Sequence, residues 1–226
     1  MIIITHHTTA MYGLIDKMRR GTMVLSSLHS SVVYLIFISV FLIYAMLLIG
    51  FNLIVLVVAI TFIYVSVNHR SVCRVVYLQN VNTIAIDFCG CLLPFIASLI
   101  IALSSSIDIK LFTILLSLST MIASINTVLS SRSIIVNIFR YSISLFLVSV
   151  VLFQSNNYYF YALPLITVMG IIIGSDILPY IFIHPGLKKL RKTLVIGGAK
   201  ALDAINISTI LVMLMAATYI AISRII

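Results

Sequence analysis

The chain has 226 residues, of which 62% are apolar and only 8% are charged, and its mean hydropathy is +1.26. Soluble domains are about 45–50% apolar and about 25% charged. A soluble fold cannot hide this much apolar surface, so the composition excludes a cytosolic enzyme. Uncharged runs recur from Ser30 to Ile222, and about 20 apolar residues cross a bilayer as a helix. The sequence therefore predicts an all-α, multi-pass protein of the cell membrane.

The charge of the chain indicates orientation in a membrane. Fourteen Lys and Arg against five acidic residues give a net charge of +9. In a soluble protein this excess would suggest nucleic acid, but here the basic residues lie in short loops between apolar runs, where they set topology. We expect the lipid bilayer and other membrane subunits as partners, and no nucleic acid.

The chemistry-bearing side chains outside the acidic residues predict no bound group. Cys73, Cys89 and Cys91 have no spacing typical of a metal site, and the sequence has no histidine cluster with such spacing. We expect the three cysteines to be small packing residues. No metal and no cofactor is predicted.

The chain divides into a tail and one membrane domain. Residues 1–28 mix charged and apolar side chains and predict a cytoplasmic or interfacial N-terminal tail. Residues 29–226 predict a single transmembrane helical domain. The run Val32–Val67 holds no charge, but one helix of that length would be about 54 Å long, so Gly50 and Asn52 are taken to divide it. The seven predicted spans are about 31–49, 53–67, 78–103, 111–130, 134–153, 159–182 and 195–222.

Basic residues predict the orientation of this seven-span bundle. With the N-terminus inside and the C-terminus outside, ten basic residues fall on inner segments and only Lys110 and Arg224 on outer ones. Such an asymmetry is the usual topological signal of membrane proteins. The inner residues are Lys17, Arg19, Arg20, Arg70, Arg74, Arg132, Lys188, Lys189, Arg191 and Lys192.

Three aspartates, Asp87, Asp176 and Asp203, fall within predicted spans. An ionised carboxylate there costs about 2.5–3.5 kcal/mol, so each is expected to face the bundle interior, to be protonated or to be paired. A helical rise of about 1.5 Å per residue puts them about 20, 12 and 16 Å below the inner surface, respectively. Lys200 and Asn206 recur with Asp203 at a spacing of three. We predict an ion or proton site formed by these five residues, with Asp176 and Asp203 as the catalytic pair if the protein is a hydrolase.

Small residues near these aspartates predict close helix packing. Gly170 and Gly174 form a G-x-x-x-G pattern, which lets helix backbones approach each other. Pro94 and Pro179 are expected to break the helical hydrogen-bond ladder and to free carbonyl groups for a ligand. The glycines predicted to lie at helix contacts are Gly90, Gly170, Gly174, Gly197 and Gly198.

Three stretches resemble a known family. They are Asp87-Phe-Cys-Gly-Cys-Leu-Leu-Pro94, Ile173-Gly-Ser-Asp-Ile-Leu178 and Ile196-Gly-Gly-Ala-Lys-Ala-Leu-Asp203. In this order they are similar to the signatures of an uncharacterised family of archaeal and bacterial multi-pass membrane proteins, a domain of unknown function. The family patterns are N-x-G-G-A-x-I-P, I-G-A-D-L-L and I-G-G-A-G-x-F-D-G, so Asp87 stands where Asn is usual and Lys200 where Gly is usual. The resemblance implies a prokaryotic membrane protein with a shared site and implies no activity.

Three functions remain open from the sequence. Intramembrane carboxylates beside broken helices are typical of proton- or cation-coupled transport. Two aspartates sharing a proton are typical of an intramembrane aspartyl hydrolase, although Ile173-Gly-Ser-Asp176 matches only half of the Gly-x-Gly-Asp pattern of such enzymes. The third hypothesis is a structural or assembly subunit of a membrane complex, in which the carboxylates hold helices together.

Overall fold

A computed structural model describes most of the chain from Val32 to Arg224. The described residues are 32–33, 35–48, 73, 75–77, 84–104, 107–129, 134–152, 157–187, 194–197 and 203–224. The N-terminal tail, the predicted second span at 53–67, the basic run 188–192, and the candidate residues Gly198 and Lys200 lie outside them.

The described chain is mostly helical. Its helices are α1 (Leu35–Leu48), α2 (Leu93–Leu103), α3 (Ile109–Ile125), α4 (Ile138–Leu152), α5 (Leu163–Ile171), α6 (Leu178–Leu187) and α7 (Ala204–Ser223). A first π segment, Phe88–Leu92, precedes α2, and a second, Ile172–Ile177, joins α5 to α6. A 3₁₀ turn, Asn157–Tyr161, precedes α5. Aspartates begin two of the long helices, because the side chains of Asp108 and Asp203 accept from backbone N–H groups of the first turn of α3 and α7.

Short strands lie at one end of this helical bundle. The strands β1 (Val75–Tyr77) and β2 (Ile84–Asp87) are antiparallel, and β5 (Leu194–Ile196) pairs parallel with β2 in the order β1-β2-β5. The hairpin of β3 (Thr127–Leu129) and β4 (Ile134–Val136) joins α3 to α4.

The strands correct the prediction that the fold is purely α-helical. Predicted span three (78–103) contains β2 before its helix, and span seven (195–222) begins in β5, while α7 starts only at Ala204. Spans four and five were predicted to include residues that form β3 and β4. The error has one physical cause: uniformly apolar segments contain no polar period that separates an extended strand from a helix.

Contacts between side chains give the relative directions of the helices. Ser119 on α3 donates to the carbonyl of Ile166 on α5, and Ser124, one turn later, donates to Gly174. Residue numbers rise together along this contact, so α3 and α5 run parallel. At the opposite end from the strands, the Tyr44 hydroxyl of α1 donates to the carbonyl of Phe160. The core lies between these helices.

Two helical segments are long and apolar enough to cross a membrane: Tyr159–Phe182 and α7. Four further apolar helices are shorter, at Leu35–Leu48, Phe88–Leu103, Ile109–Ile125 and Ile138–Leu152. The described helices thus agree with a helical membrane protein. The number of crossings and their orientation stay predictions from the sequence.

Candidate ion or proton site

The first predicted site residue, Asp87, ends β2 and caps the first π segment. Its Oδ1 accepts hydrogen bonds from the backbone N–H groups of Cys89 (3.0 Å) and Gly90 (2.8 Å). The residue is only 1% exposed, and its Oδ2 has no hydrogen-bond partner among the described residues. Asp87 is therefore a helix cap with one carboxylate oxygen left over inside the protein.

The third signature stretch crosses directly over the first. Because β2 and β5 are parallel and Ile86 pairs with Ile196, the two strands end side by side. Gly197 follows with φ of +77°, a conformation that favours glycine. A Cβ on Gly90 would lie 1.9 Å from the carbonyl oxygen of Gly197. Both positions therefore require glycine, because the two backbones touch.

The amide of Asn206 joins the two helix starts. Its Nδ2 donates to the carbonyl of Cys89 at 3.3 Å, so the first turn of α7 is tied to the first π segment. Three residues earlier, Asp203 caps α7 by accepting from the N–H of Ile205 at 3.1 Å. The strand–helix units that contain Asp87 and Asp203 thus begin next to each other.

The three candidate aspartates all act electrostatically on one thiol. The carboxylates of Asp176, Asp203 and Asp87 all lie within electrostatic range of Cys91, which is buried and free. Asp176, on the second π segment, also interacts electrostatically with Asp203. The charges of Asp176 and Asp203 thus influence each other, while a shared site and its chemical role stay predictions.

Both π segments have the same cause. Each is followed directly by a Leu-Pro pair. The N–H of the leucine bonds to the carbonyl five residues back, from Leu93 to Phe88 and from Leu178 to Ile173. The next residue, Pro94 or Pro179, has no N–H and cannot continue this pattern. π segments of this kind are frequent at functional sites.

Each proline leaves one backbone carbonyl without a helical N–H donor. That carbonyl accepts a hydrogen bond from a side chain elsewhere in the protein. Five residues before Pro94 is Cys89, whose carbonyl accepts from Asn206. Five residues before Pro179 is Gly174, whose carbonyl accepts from the hydroxyl of Ser124 at 3.0 Å. These carbonyls were expected to serve a ligand, and the structure assigns them instead to helix–helix contacts.

The depths predicted for the aspartates rest on a wrong premise. A helical rise was assumed from Arg74 to Asp87 and from Lys192 to Asp203, but strands β2 and β5 lie in these intervals. Asp203 stands at the start of a 20-residue helix, which is long enough by itself to cross a bilayer. It therefore lies at one end of a full-length helix and not in the middle of one.

The cysteines also differ from the prediction. Cys73 and Cys89 form a disulfide that closes the β1–β2 unit, and only Cys91 of the three is free. No spacing in the sequence indicates this pair, since the bond depends on the antiparallel register that puts Val75 opposite Asp87. Within the described residues, no group of three His, Cys, Asp or Glu side chains could hold a metal ion.

The structure contains a buried network of hydroxyl groups that no sequence pattern indicates. The hydroxyls of Ser119 and Tyr141 lie 2.8 Å apart, and Tyr141 also donates to the carbonyl of Thr167 at 2.9 Å. The network joins α3, α4 and α5 next to Gly170, whose added Cβ would lie 1.9 Å from Ser119 Oγ. Serines with helical spacing are common in the sequence, so no signal marked this one.

Comparison with known families agrees with the resemblance of the three stretches. No curated protein and no solved structure matches the chain. One family matches residues 60–215, a range that includes all three stretches and most of the described helices. The chain belongs to this family, described as a protein of unknown function (DUF1614).

Proposed function

We propose that this protein is a multi-pass membrane protein that couples the movement of protons to that of cations, with Asp176 and Asp203 as its proton-carrying pair. The observation that supports the proposal is the electrostatic interaction of these two carboxylates, one on a π segment and the other at a helix start. Two ionised carboxylates repel each other strongly away from water. We therefore expect the pair to hold one proton at neutral pH.

The surroundings of the pair favour transport. Helices that are broken next to acidic side chains are common components of ion sites in secondary transporters. Here β2 and β5 precede two helical segments, and a π segment contains Asp176. A strand end or a π segment can change its backbone hydrogen bonds without disrupting a whole helix. The position of the Asp176–Asp203 pair therefore does not depend on one continuous helix.

Proton movement can be measured in liposomes that contain the purified protein and a pH-sensitive dye. We expect an imposed Na⁺ or K⁺ gradient to change the internal pH, and Asp176→Asn or Asp203→Asn to slow this change by about tenfold or more, as for a group that carries the proton. Asp108→Asn is the matched control, because Asp108 is an exposed cap of α3.

Infrared spectroscopy tests the shared proton without a transport assay. We expect a carboxylic acid C=O band at neutral pH that is lost in Asp176→Asn and in Asp203→Asn but kept in Asp108→Asn. The band without cation-driven proton movement would favour the aspartyl hydrolase, in which the same pair activates water. Absence of both signals would favour the structural or assembly subunit.

A further inference from the structure

The side-chain oxygen Oδ2 of Asp87 is a buried polar atom whose role the contacts described above do not explain. Asp87 is 1% exposed, and its Oδ1 already accepts two backbone N–H groups. Its Oδ2 is buried without a hydrogen-bond partner in the described part of the chain. Buried polar atoms are nearly always paired, because an unpaired one lowers stability.

The backbone hydrogen bonds of Asp87 occupy only one of its two carboxylate oxygens. Both N–H donors, from Cys89 and Gly90, bond to Oδ1. A buried negative charge in turn requires a positive partner. No described Lys or Arg donates to Oδ2, so the carboxylate has no positive partner among the described residues.

We infer that Asp87 Oδ2 binds a small monovalent cation of the Na⁺ class, which exchanges with the proton of the Asp176–Asp203 pair. This inference rests on the proposed function and names its cation. A single carboxylate carries one negative charge, which one monovalent cation balances, whereas Ca²⁺ takes six to eight oxygen ligands, usually with several carboxylates. In agreement, the described residues hold no three-residue group for a metal ion.

The crossing of the first and third signature stretches brings a backbone carbonyl to the turn that Asp87 caps. The Gly197 carbonyl oxygen lies 1.9 Å from the position of a Cβ on Gly90, and the N–H of Gly90 bonds to Asp87 Oδ1. A backbone carbonyl is thus held next to the residue that anchors the carboxylate. Carbonyl and carboxylate oxygens together are typical Na⁺ ligands in transporters.

The cation and the proton pair share one environment. Cys91 is within electrostatic range of Asp87, Asp176 and Asp203, so one thiol feels the charge of all three carboxylates. A cation at Asp87 repels a proton on the pair, and a proton repels the cation by the same coupling free energy. Such reciprocal exclusion is what an exchange of cation for proton requires.

Thermal unfolding in detergent tests the site directly. The chain has no Trp, but Cys91 is a buried free thiol, so unfolding can be followed with a maleimide dye that fluoresces on reaction. At equal ionic strength we expect NaCl to raise Tm above the value in choline chloride by about 2–4 °C, because the ion binds only the folded state. The rise should be lost in Asp87→Asn, which keeps a capping side chain, and kept in Asp108→Asn.

Each result supports or overturns the inference. A Tm that is equal in NaCl, LiCl, KCl and choline chloride would overturn it. A rise that persists in Asp87→Asn would place the ion elsewhere, and a rise with CaCl₂ or MgCl₂ alone would overturn the monovalent assignment. Asp176→Asn should keep the NaCl effect while losing the infrared band, so failure of the cation site and failure of the proton pair are read separately.

Discussion

Gly170 and Gly174 meet different kinds of atoms across the α3–α5 contact. A Cβ on Gly170 would lie 1.9 Å from the side-chain oxygen of Ser119, whereas a Cβ on Gly174 would lie 2.4 Å from the backbone oxygen of Thr120. A side chain can be removed by substitution, but a backbone carbonyl cannot. The same G-x-x-x-G pattern therefore contains one position that a second substitution can relieve and one that it cannot.

We predict that Gly170→Ala lowers Tm because overpacking a tight contact costs about 1–3 kcal/mol. Ser119→Gly should recover part of this loss, so that the double variant is more stable than the sum of the two single changes. The matched pair is Gly174→Ala with Ala123→Gly, which we expect to be additive since the clash with the Thr120 carbonyl remains. Additive losses in both pairs, measured by thermal unfolding, would contradict the close α3–α5 contact.

At the scale of elements, the two Leu-Pro pairs explain where the π segments form and which neighbouring helices donate hydrogen bonds to them. Each proline leaves a carbonyl without a helical donor, and each carbonyl receives a side chain from another helix. Asn206 of α7 donates to Cys89, and Ser124 of α3 donates to Gly174. The proline, the π segment and the polar donor form one unit, although they are distant in sequence.

We predict that Asn206→Leu destabilises the protein by about 1–2 kcal/mol, because the carbonyl of Cys89 loses its donor. In a Pro94→Ala background the same change should cost much less, since the helix regains an N–H for that carbonyl. A double-mutant cycle on Tm measures this difference. Equal costs of Asn206→Leu in the two backgrounds would show that the amide does not compensate for the proline.

At the scale of the whole molecule, the strand end of the bundle carries the candidate site. Asp87 and Asp203 stand where β2 and α7 meet this end, and the hydroxyl of Thr127 in the β3–β4 hairpin donates to Ser175, next to Asp176. The predicted inner loops hold most of the basic residues. The positive-inside bias therefore predicts that the site lies at the cytoplasmic end.

Cysteine labelling tests this orientation. In intact cells we expect a cysteine introduced at Ser106 or Asn156 to react with a membrane-impermeant maleimide, and one at Lys189 to react only after permeabilisation. The unmodified chain is the blank, because its free thiol, Cys91, is buried and the other two cysteines form a disulfide. The reverse labelling would invert the bundle and put the three aspartates at the outer end.

The disulfide between Cys73 and Cys89 also bears on which side of the membrane the strand end of the bundle faces. Disulfides persist mainly in oxidising compartments, yet Cys73 lies next to Arg74 in a predicted inner loop. Cys73 is 6% exposed and Cys89 is fully buried, so soluble reductants have little access to the bond, and exposed disulfides are the labile ones. The burial of the disulfide is therefore compatible with either side of the membrane.

The sequence by itself determined the mostly helical fold, the family and the residues that stand out. An apolar content of 62% requires lipid or a very large core, and carboxylates in such a chain are rare enough to indicate Asp87, Asp176 and Asp203. These conclusions depend only on which residues are present, or on patterns within a few positions. Such information lies within short segments of the chain, so composition, hydropathy and short motifs are sufficient to obtain it.

Only the tertiary structure decided how these residues meet. Asn206 and Cys89 are 117 positions apart, and no periodicity in either segment shows that an amide will reach that carbonyl. The parallel pairing of β2 with β5, the disulfide and the contact between Gly90 and Gly197 likewise join distant segments. In uniformly apolar segments many pairings bury the same surface, so the choice among them depends on which backbones can touch and which buried polar groups can be paired.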